Sequence, residues 1–575
     1  LDVEELITSK LKTSLLNAGF TEGICYTESE LSPALLTFIE SIKETATLVC
    51  RPFSSFALLC ALQHYLPIDF INTRPGFEAD SQIMLNNASI LAFRFSSPIN
   101  EAKFKLSRAE YYQIAERDDF SWLEDYSEVV SEIYYIVNVI DLTVKQLRWL
   151  GKGAKATIDL LANDISTIIK IDIPFNLHQQ MIQYDERLIQ NQNIFMKQAM
   201  PLGIVKPESP LKCVVVNSNW EEFRKGTLNP PPIPVVFGMD SIHIFASLHS
   251  DEILQFFDKR VHVEDLFVFM AALFKPLVED AINNRRFAGQ GYYLTEEQHL
   301  IDYIVNWAPH IYLECFMKQV FEDGTPFIME SLDEGYWKEV VNQILCFISY
   351  DFNSRDLIDL PLFRPVRFIY KCDDGTIFLH LGSVIHFFMY FLDQFQNTGQ
   401  FGEVKGKLFE RLILNRIESI EGFKRIWETG RKLPFQVAGK IGTDVDVFVQ
   451  RNELAILISC KSYGVNRKYE LGSGQECWEK SEEAKAELRF AYQIAKVIAD
   501  HHEDLSLPRD IQGILPFVCT GWPEYLFEPF EDCFMADGTP RIATLREIEQ
   551  FCRNIDTIGI ERLFADSLMV TVEHE

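Results

Sequence analysis

Gly442-Thr443-Asp444-Val445-Asp446-Val447, followed by Ile456-Leu457-Ile458-Ser459-Cys460-Lys461, decides how the last third of the chain folds. The second segment closes a continuous apolar run, Leu454–Ser459, of the length and type that a buried strand requires. The first belongs to a shorter strand, Val445–Val449, joined to it by the turn Gln450-Arg451-Asn452-Glu453. Asp446 thus stands at the end of one strand and Lys461 at the end of the next. A carboxylate and an ammonium group so placed can hold a divalent cation against a phosphate and neutralise the charge that develops there.

Working outward, Glu403–Ile417 has the spacing of an amphipathic helix, with Leu408, Leu412 and Ile413 inward and Glu410 beside that stripe. Phe423–Trp427 begins a strand after Gly422, and Phe435-Gln436-Val437 either extends it or pairs with it. Beyond Lys461 the pattern predicts a helix over Glu479–His501, a buried strand over Ile514–Cys519 and a closing helix over Leu545–Arg553.

This order of helix, three strands, helix and strand resembles the PD-(D/E)xK, or restriction-endonuclease-like, nuclease superfamily. Three motifs carry the resemblance: Gly406-x-x-Phe409-Glu410 in the first helix, Thr443-Asp444-Val445-Asp446-Val447 on the second strand, and Ser459-Cys460-Lys461-Ser462 ending the third. It covers about 175 residues. It implies Asp446 as the main metal ligand, Lys461 as the catalytic lysine, Glu410 as an additional carboxylate and the Cys460 carbonyl as a backbone ligand. Magnesium or manganese suits such oxygen donors. Ser459 stands where the superfamily usually carries a second acid. In one subgroup of restriction enzymes the motif reads S-x-K and the acid comes from the start of the next helix. Here that points to Glu476, with Glu479, Glu482 and Glu483 behind it. The function implied is phosphodiester hydrolysis of nucleic acid, DNA before RNA, in a setting such as restriction or phage defence. The alternative is the same fold with a disabled centre, acting in nucleic-acid or protein binding.

The preceding chain reads differently. Val3–Ala18, Ser32–Glu44 and Asp125–Leu150 repeat apolar residues at helical spacing, and Ile90–Phe95 has the look of a strand between helices. Prolines crowd 201–234 around a strand-like Cys213-Val214-Val215-Val216. Helical patterns return at Asp251–Phe257, Val263–Lys275, Glu296–Trp307 and Trp337–Ile348. Val366–Tyr370 and Ile377–Leu381 flank Asp373-Asp374-Gly375 as a hairpin, and Ser383–Phe395 is an aromatic helix. The fold class expected is therefore α/β: a restriction-endonuclease-like αβββαβ core behind a large, mainly α-helical (α+β) N-terminal region. The domains expected are 1–200, 201–398 with a hairpin near 366–381, and 399–575.

Bulk composition sets the remaining bounds. The net charge of −29 argues against a uniformly basic surface, yet 401–470 holds thirteen Lys/Arg against nine Asp/Glu. That local surplus, including Lys424, Arg425, Arg431, Lys432 and Lys440, coincides with the suspected site and suits a phosphate backbone. Twelve scattered cysteines without a C-x-x-C read as reduced thiols of a cytoplasmic protein, and no H-E-x-x-H or Cys/His cluster marks a zinc site. The longest apolar runs, Leu266–Phe274 and Phe387–Leu392, are about half a membrane span or less, so no membrane partner is expected. A partner protein or self-association is expected through the N-terminal region.

Overall fold

A computed structural model describes residues 2–65, 78–117, 121–199, 294–323, 333–358, 367–379, 399–461, 467–521, 523–527 and 531–573, with isolated positions between 265 and 273. The chain is mixed α/β and mostly helical. It divides into two units: 1–146, 156–170 and 195–394 form one, and 147–155, 171–194 and 395–575 the other.

In the first unit, helices form where apolar spacing and caps agree. Thr27 and Glu30 close a capping box on Glu28–Cys50, whose Leu31, Leu35, Phe38 and Ile42 are fully buried. Ile90–Phe95, expected as a strand, is instead the end of the helix Glu78–Phe95. Its continuous apolar run arises because Ile90, Leu91, Ala92 and Phe93 are buried on every side. The hairpin on either side of Asp373-Asp374-Gly375 is present as Ile369–Lys371 against Thr376–Leu379. It belongs to a four-stranded sheet completed by Leu294–Glu296 and Ser349–Asp351. The expected Cys213–Val216 strand and the Asp251–Phe257 and Ser383–Phe395 helices lie outside the described residues.

The second unit runs α1 (Gly399–Glu418), β1 (Lys424–Trp427), β2 (Arg431–Lys432), β3 (Gln436–Val437), β4 (Lys440–Ile441), β5 (Asp444–Val445), β6 (Val447–Arg451), β7 (Leu454–Lys461), α2 (Arg467–Glu470), α3 (Gly474–Asp500), β8 (Gly513–Thr520), β9 (Ile542–Thr544), α4 (Leu545–Ile558), α5 (Ile560–Phe564) and β10 (Val570–Thr571). The main sheet has the order β9-β8-β7-β6-β1, with β10 beside the start of β8. β7, β8 and β9 are parallel, while β6 is antiparallel to both β7 and β1.

Two-residue alternation splits the sheet's side chains between two faces. Val447, Val449, Leu454, Ile456, Ile458, Leu515 and Phe517 pack with Ile413 and Ile417 of α1 and Phe551 and Ile555 of α4. Phe448, Ala455, Leu457 and Ile514 pack with Ile494, Ala495 and Ile498 of α3. Both faces of the central strands are therefore covered, which is why β7 and β8 read as unbroken apolar runs. Phe435–Val437 does not join β1. Gln436 and Val437 pair with Ile441 and Lys440 across a tight turn at Ala438 and Gly439, whose φ angles are 48° and 84°.

The segments 147–155 and 171–194, which the sequence reading places in the first domain, are part of this second unit. The Lys152 ammonium lies 4.1 Å from the Tyr184 ring centroid and 5.1 Å from that of Tyr525. Arg187 donates to both carboxylate oxygens of Glu547 and to the Ile542 carbonyl. Gly472, at φ +79°, lies so close to the 147–155 segment that a Cβ would meet the Arg148 nitrogen at 2.5 Å. Gly430 has a similar φ of +72° but open space around it. Gly430→Ala is expected to cost the left-handed penalty of about 1–2 kcal/mol alone, and Gly472→Ala more, because backbone must also move. Thermal unfolding of the two variants checks this; equal shifts would contradict the close backbone contact.

Candidate active site

The site begins with a change of partner. β6 pairs with β7 from Arg451↔Leu454 to Val447↔Ile458, and there the ladder ends. One residue earlier the strand has left the sheet, and Asp444 and Val445 pair with Lys432 and Arg431 instead. Asp446 occupies the junction. Its carboxylate replaces the missing ladder bond, with Oδ2 accepting from the Cys460 backbone N–H at 2.7 Å and from Ser459 Oγ at 3.4 Å. A residue's N–H and C=O face the same neighbouring strand, so the Cys460 carbonyl is also directed to the Asp446 side.

Alternation along β7 sets what else arrives. Ser459 and Lys461 share the parity of Ala455 and Leu457, which pack on α3. Accordingly Lys461 Nζ pairs with Glu487 Oε1 of α3 at 3.1 Å, both side chains being partly exposed. Cys460 takes the opposite parity and packs toward the α1 face. Burial pushes its thiol well above the ordinary range, reinforced by the Asp446 charge, so it stays protonated and is no nucleophile.

Glu410 reaches the same place from α1. Burial, followed by the negative charges of Asp446 and Asp444, pushes its carboxyl up to about 7, with Lys407 and Lys461 pulling the other way. Burial also raises Asp446, offset by the Cys460 N–H and by Lys461, while Glu487 adds to the rise. Among the residues expected from the sequence, the structure therefore brings together Asp446, Ser459, Cys460, Lys461 and Glu410. Gly406, in the helix motif, has no atom near its would-be Cβ, so packing does not require a glycine there.

Glu476 stands in the first turn of α3. Its backbone N–H is bound by Ser473 Oγ at the N-terminus of α3. Glu487 lies eleven residues further along the same helix, about 16 Å along its axis at 1.5 Å per residue. α3 runs about three turns from Glu476 before Glu487 meets Lys461. Glu487 was legible only as an acid flanking the buried stripe Ala484, Leu488 and Ala491, a signal shared by most surface acids.

The donor set fits a hard dication in type. It consists of carboxylate and carbonyl oxygens, and magnesium is commonly held by one or two carboxylates together with water and substrate phosphate. The Asp446 charge adds to the burial that raises Glu410, a repulsion that a cation beside the two acids would relieve. Among the described residues, no three His, Cys, Asp or Glu side chains converge as a closed metal site.

Comparison with known proteins adds no assignment: no family model, no curated protein and no solved structure matches the chain. Among the described residues no helix is long and apolar enough to cross a membrane.

The raised Glu410 gives a signed pH dependence. A carboxyl whose folded pKa lies above its unfolded value binds a proton more tightly when folded, so stability falls as pH rises between about 4.5 and about 7. Glu410→Gln is expected to flatten the fall in melting temperature over this range without added metal. If wild type and variant trace parallel curves, Glu410 does not sit in a shared anionic pocket.

Proposed function

We propose that the second unit is a metal-dependent nuclease of the PD-(D/E)xK type, hydrolysing phosphodiester bonds of nucleic acid, with the rest of the chain serving recognition or regulation. The observation that carries this reading is that the Cys460 N–H holds the Asp446 carboxylate at the end of β7, where Lys461, paired to Glu487, lies on the same strand and Glu410 of α1 feels the Asp446 charge. Asp446, Glu410 and the Cys460 carbonyl are the groups that would hold magnesium or manganese, whose contribution when bound is Lewis-acid polarisation of a phosphate oxygen.

The chain's own groups do the rest. The Cys460 N–H fixes the Asp446 carboxylate, leaving Oδ1 to turn toward a ligand. Lys461 neutralises charge that builds on the phosphate, and Glu487 orients its ammonium group from the α3 side. Glu487 thereby restores an acid to a site where Ser459 supplies only a hydroxyl. Glu410 holds a proton near neutrality and releases it when positive charge arrives.

A second reading, a disabled centre that binds without cutting, is favoured by Ser459 and by the lack of three convergent metal-binding side chains among the described residues. Incubating the protein with plasmid, linear duplex and RNA, each with magnesium or manganese, separates the two. The nuclease reading expects cleavage that Asp446→Asn and Lys461→Met each reduce about 100- to 1,000-fold, with Glu487→Gln weaker in effect. Asp446→Asn keeps the acceptor for the Cys460 N–H, so its loss reports charge and not folding. Cleavage indifferent to all three substitutions would place the activity elsewhere, and absent cleavage would favour the disabled centre.

A further inference from the structure

Between β1 and β6 the chain builds a small two-hairpin arm that the reaction described above does not use. Its inner side is anchored, since Leu433 and Val437 are fully buried and Val445 nearly so against the α3 face of the sheet. The Phe435 ring also stacks on His501 at 3.7 Å. Lys432 and Ile441, the latter 81% exposed at the β4 end of the hairpin, take the opposite, outer parity, while Arg431 and Lys440 pair across from Val445 and Val437 and are exposed as well. Among the described residues none of these three cations is in an ion pair: Arg431 lies over the Trp427 ring at 4.2 Å and donates to the Leu505 carbonyl at 3.5 Å, and Lys440 lies near Phe490 at 5.3 Å. In a chain of net charge −29, the stretch 424–444 holds five cations and two acids. The arm is also tied to the site, because Lys432 is the cross-strand partner of Asp444, two residues from Asp446.

We infer that this arm is a docking element for double-stranded DNA, its ribbon entering the major groove with Lys432 and Lys440 on flanking phosphates and Ile441 against base edges. The inference deepens the nuclease reading of the same unit and rests on it for the nature of the substrate. Three features fit this partner. The unpaired cations match a polyanion, and each phosphate neutralised releases counterions. A two-stranded ribbon matches the width of the B-form major groove, about 12 Å, whereas the A-form groove of duplex RNA is too narrow. An exposed isoleucine finds apolar contact at thymine methyl groups. Rigid anchoring means the arm orders nothing on binding, so its contacts are not offset by lost backbone freedom.

The test uses the full chain carrying Asp446→Asn, in EDTA, so that binding is read without cleavage. Fluorescence anisotropy on a short labelled DNA duplex over a salt series gives the slope of log affinity against log salt. Adding Lys432→Ala and Lys440→Ala is expected to make that slope shallower by about two, while Ile441→Ser weakens binding at unchanged slope. An unaltered slope in the double lysine variant would overturn the inference. So would failure of the Asp446→Asn protein to bind at low salt, or equal affinity for duplex RNA. Should the slope change as expected while the unsubstituted protein cuts nothing, the arm stands and the nuclease reading falls.

Discussion

The hydrogen bond from the Cys460 N–H to the Asp446 carboxylate is the constraint on which the second unit's site depends. A strand that leaves its sheet strands a backbone donor, and a buried donor without an acceptor costs about 1–3 kcal/mol. Asp446 supplies the acceptor at the residue where β6 changes partner. That single bond fixes the carboxylate's position and holds the end of β7. Alternation along β7, whose ladder with β8 runs through Lys461, turns Lys461 toward α3 and Cys460 toward the α1 face. The arm from β2 to β5 begins where the chain departs from the sheet, so the Asp446 end of the sheet and its basic flank share one structural cause.

How much of this was legible varied with how local its cause was. The strands at 447–451, 454–461 and 513–520 follow from apolar runs buried on two faces, and the helices at 399–418, 474–500 and 545–558 from their apolar stripes. Asp446 and Lys461 were visible because each ends such a run. Glu487 was not, since the point along α3 that meets Lys461 is set by how the helix packs on the sheet and leaves no local mark. The arm was also illegible in detail. Its strands are two residues long, too short for any periodic pattern, and their partners are chosen by the departure of β6 from the sheet. The docking of 147–155 and 171–194 depends on a close backbone contact at Gly472 and on an aromatic seat for Lys152, neither of which has a sequence period.

Charge at the site is balanced in an unusual way for so acidic a chain. With Ser459 in place of an acid, the strand end carries one carboxylate and one ammonium group, and the two further acids come from helices on opposite faces of the sheet. Glu487 is matched by Lys461, so it adds no net charge to the pair. Glu410 has no such match. Burial, followed by the Asp446 and Asp444 charges, pushes its carboxyl up to about 7.

This asymmetry bears on whether the centre is live. Buried or half-buried charges generally cost stability unless paired, and replacing them by apolar residues is often neutral or stabilising. Asp446 has a structural reason to be there, because it caps the end of β7. Lys461 and Glu487 satisfy one another. Among the described residues, Glu410 has neither a hydrogen bond nor an ion pair to account for its place beside Asp446 and Asp444. Folding alone would favour a neutral side chain at that point of α1. A positive charge beside this carboxylate would offset that cost, and the proposed metal-dependent centre would supply one.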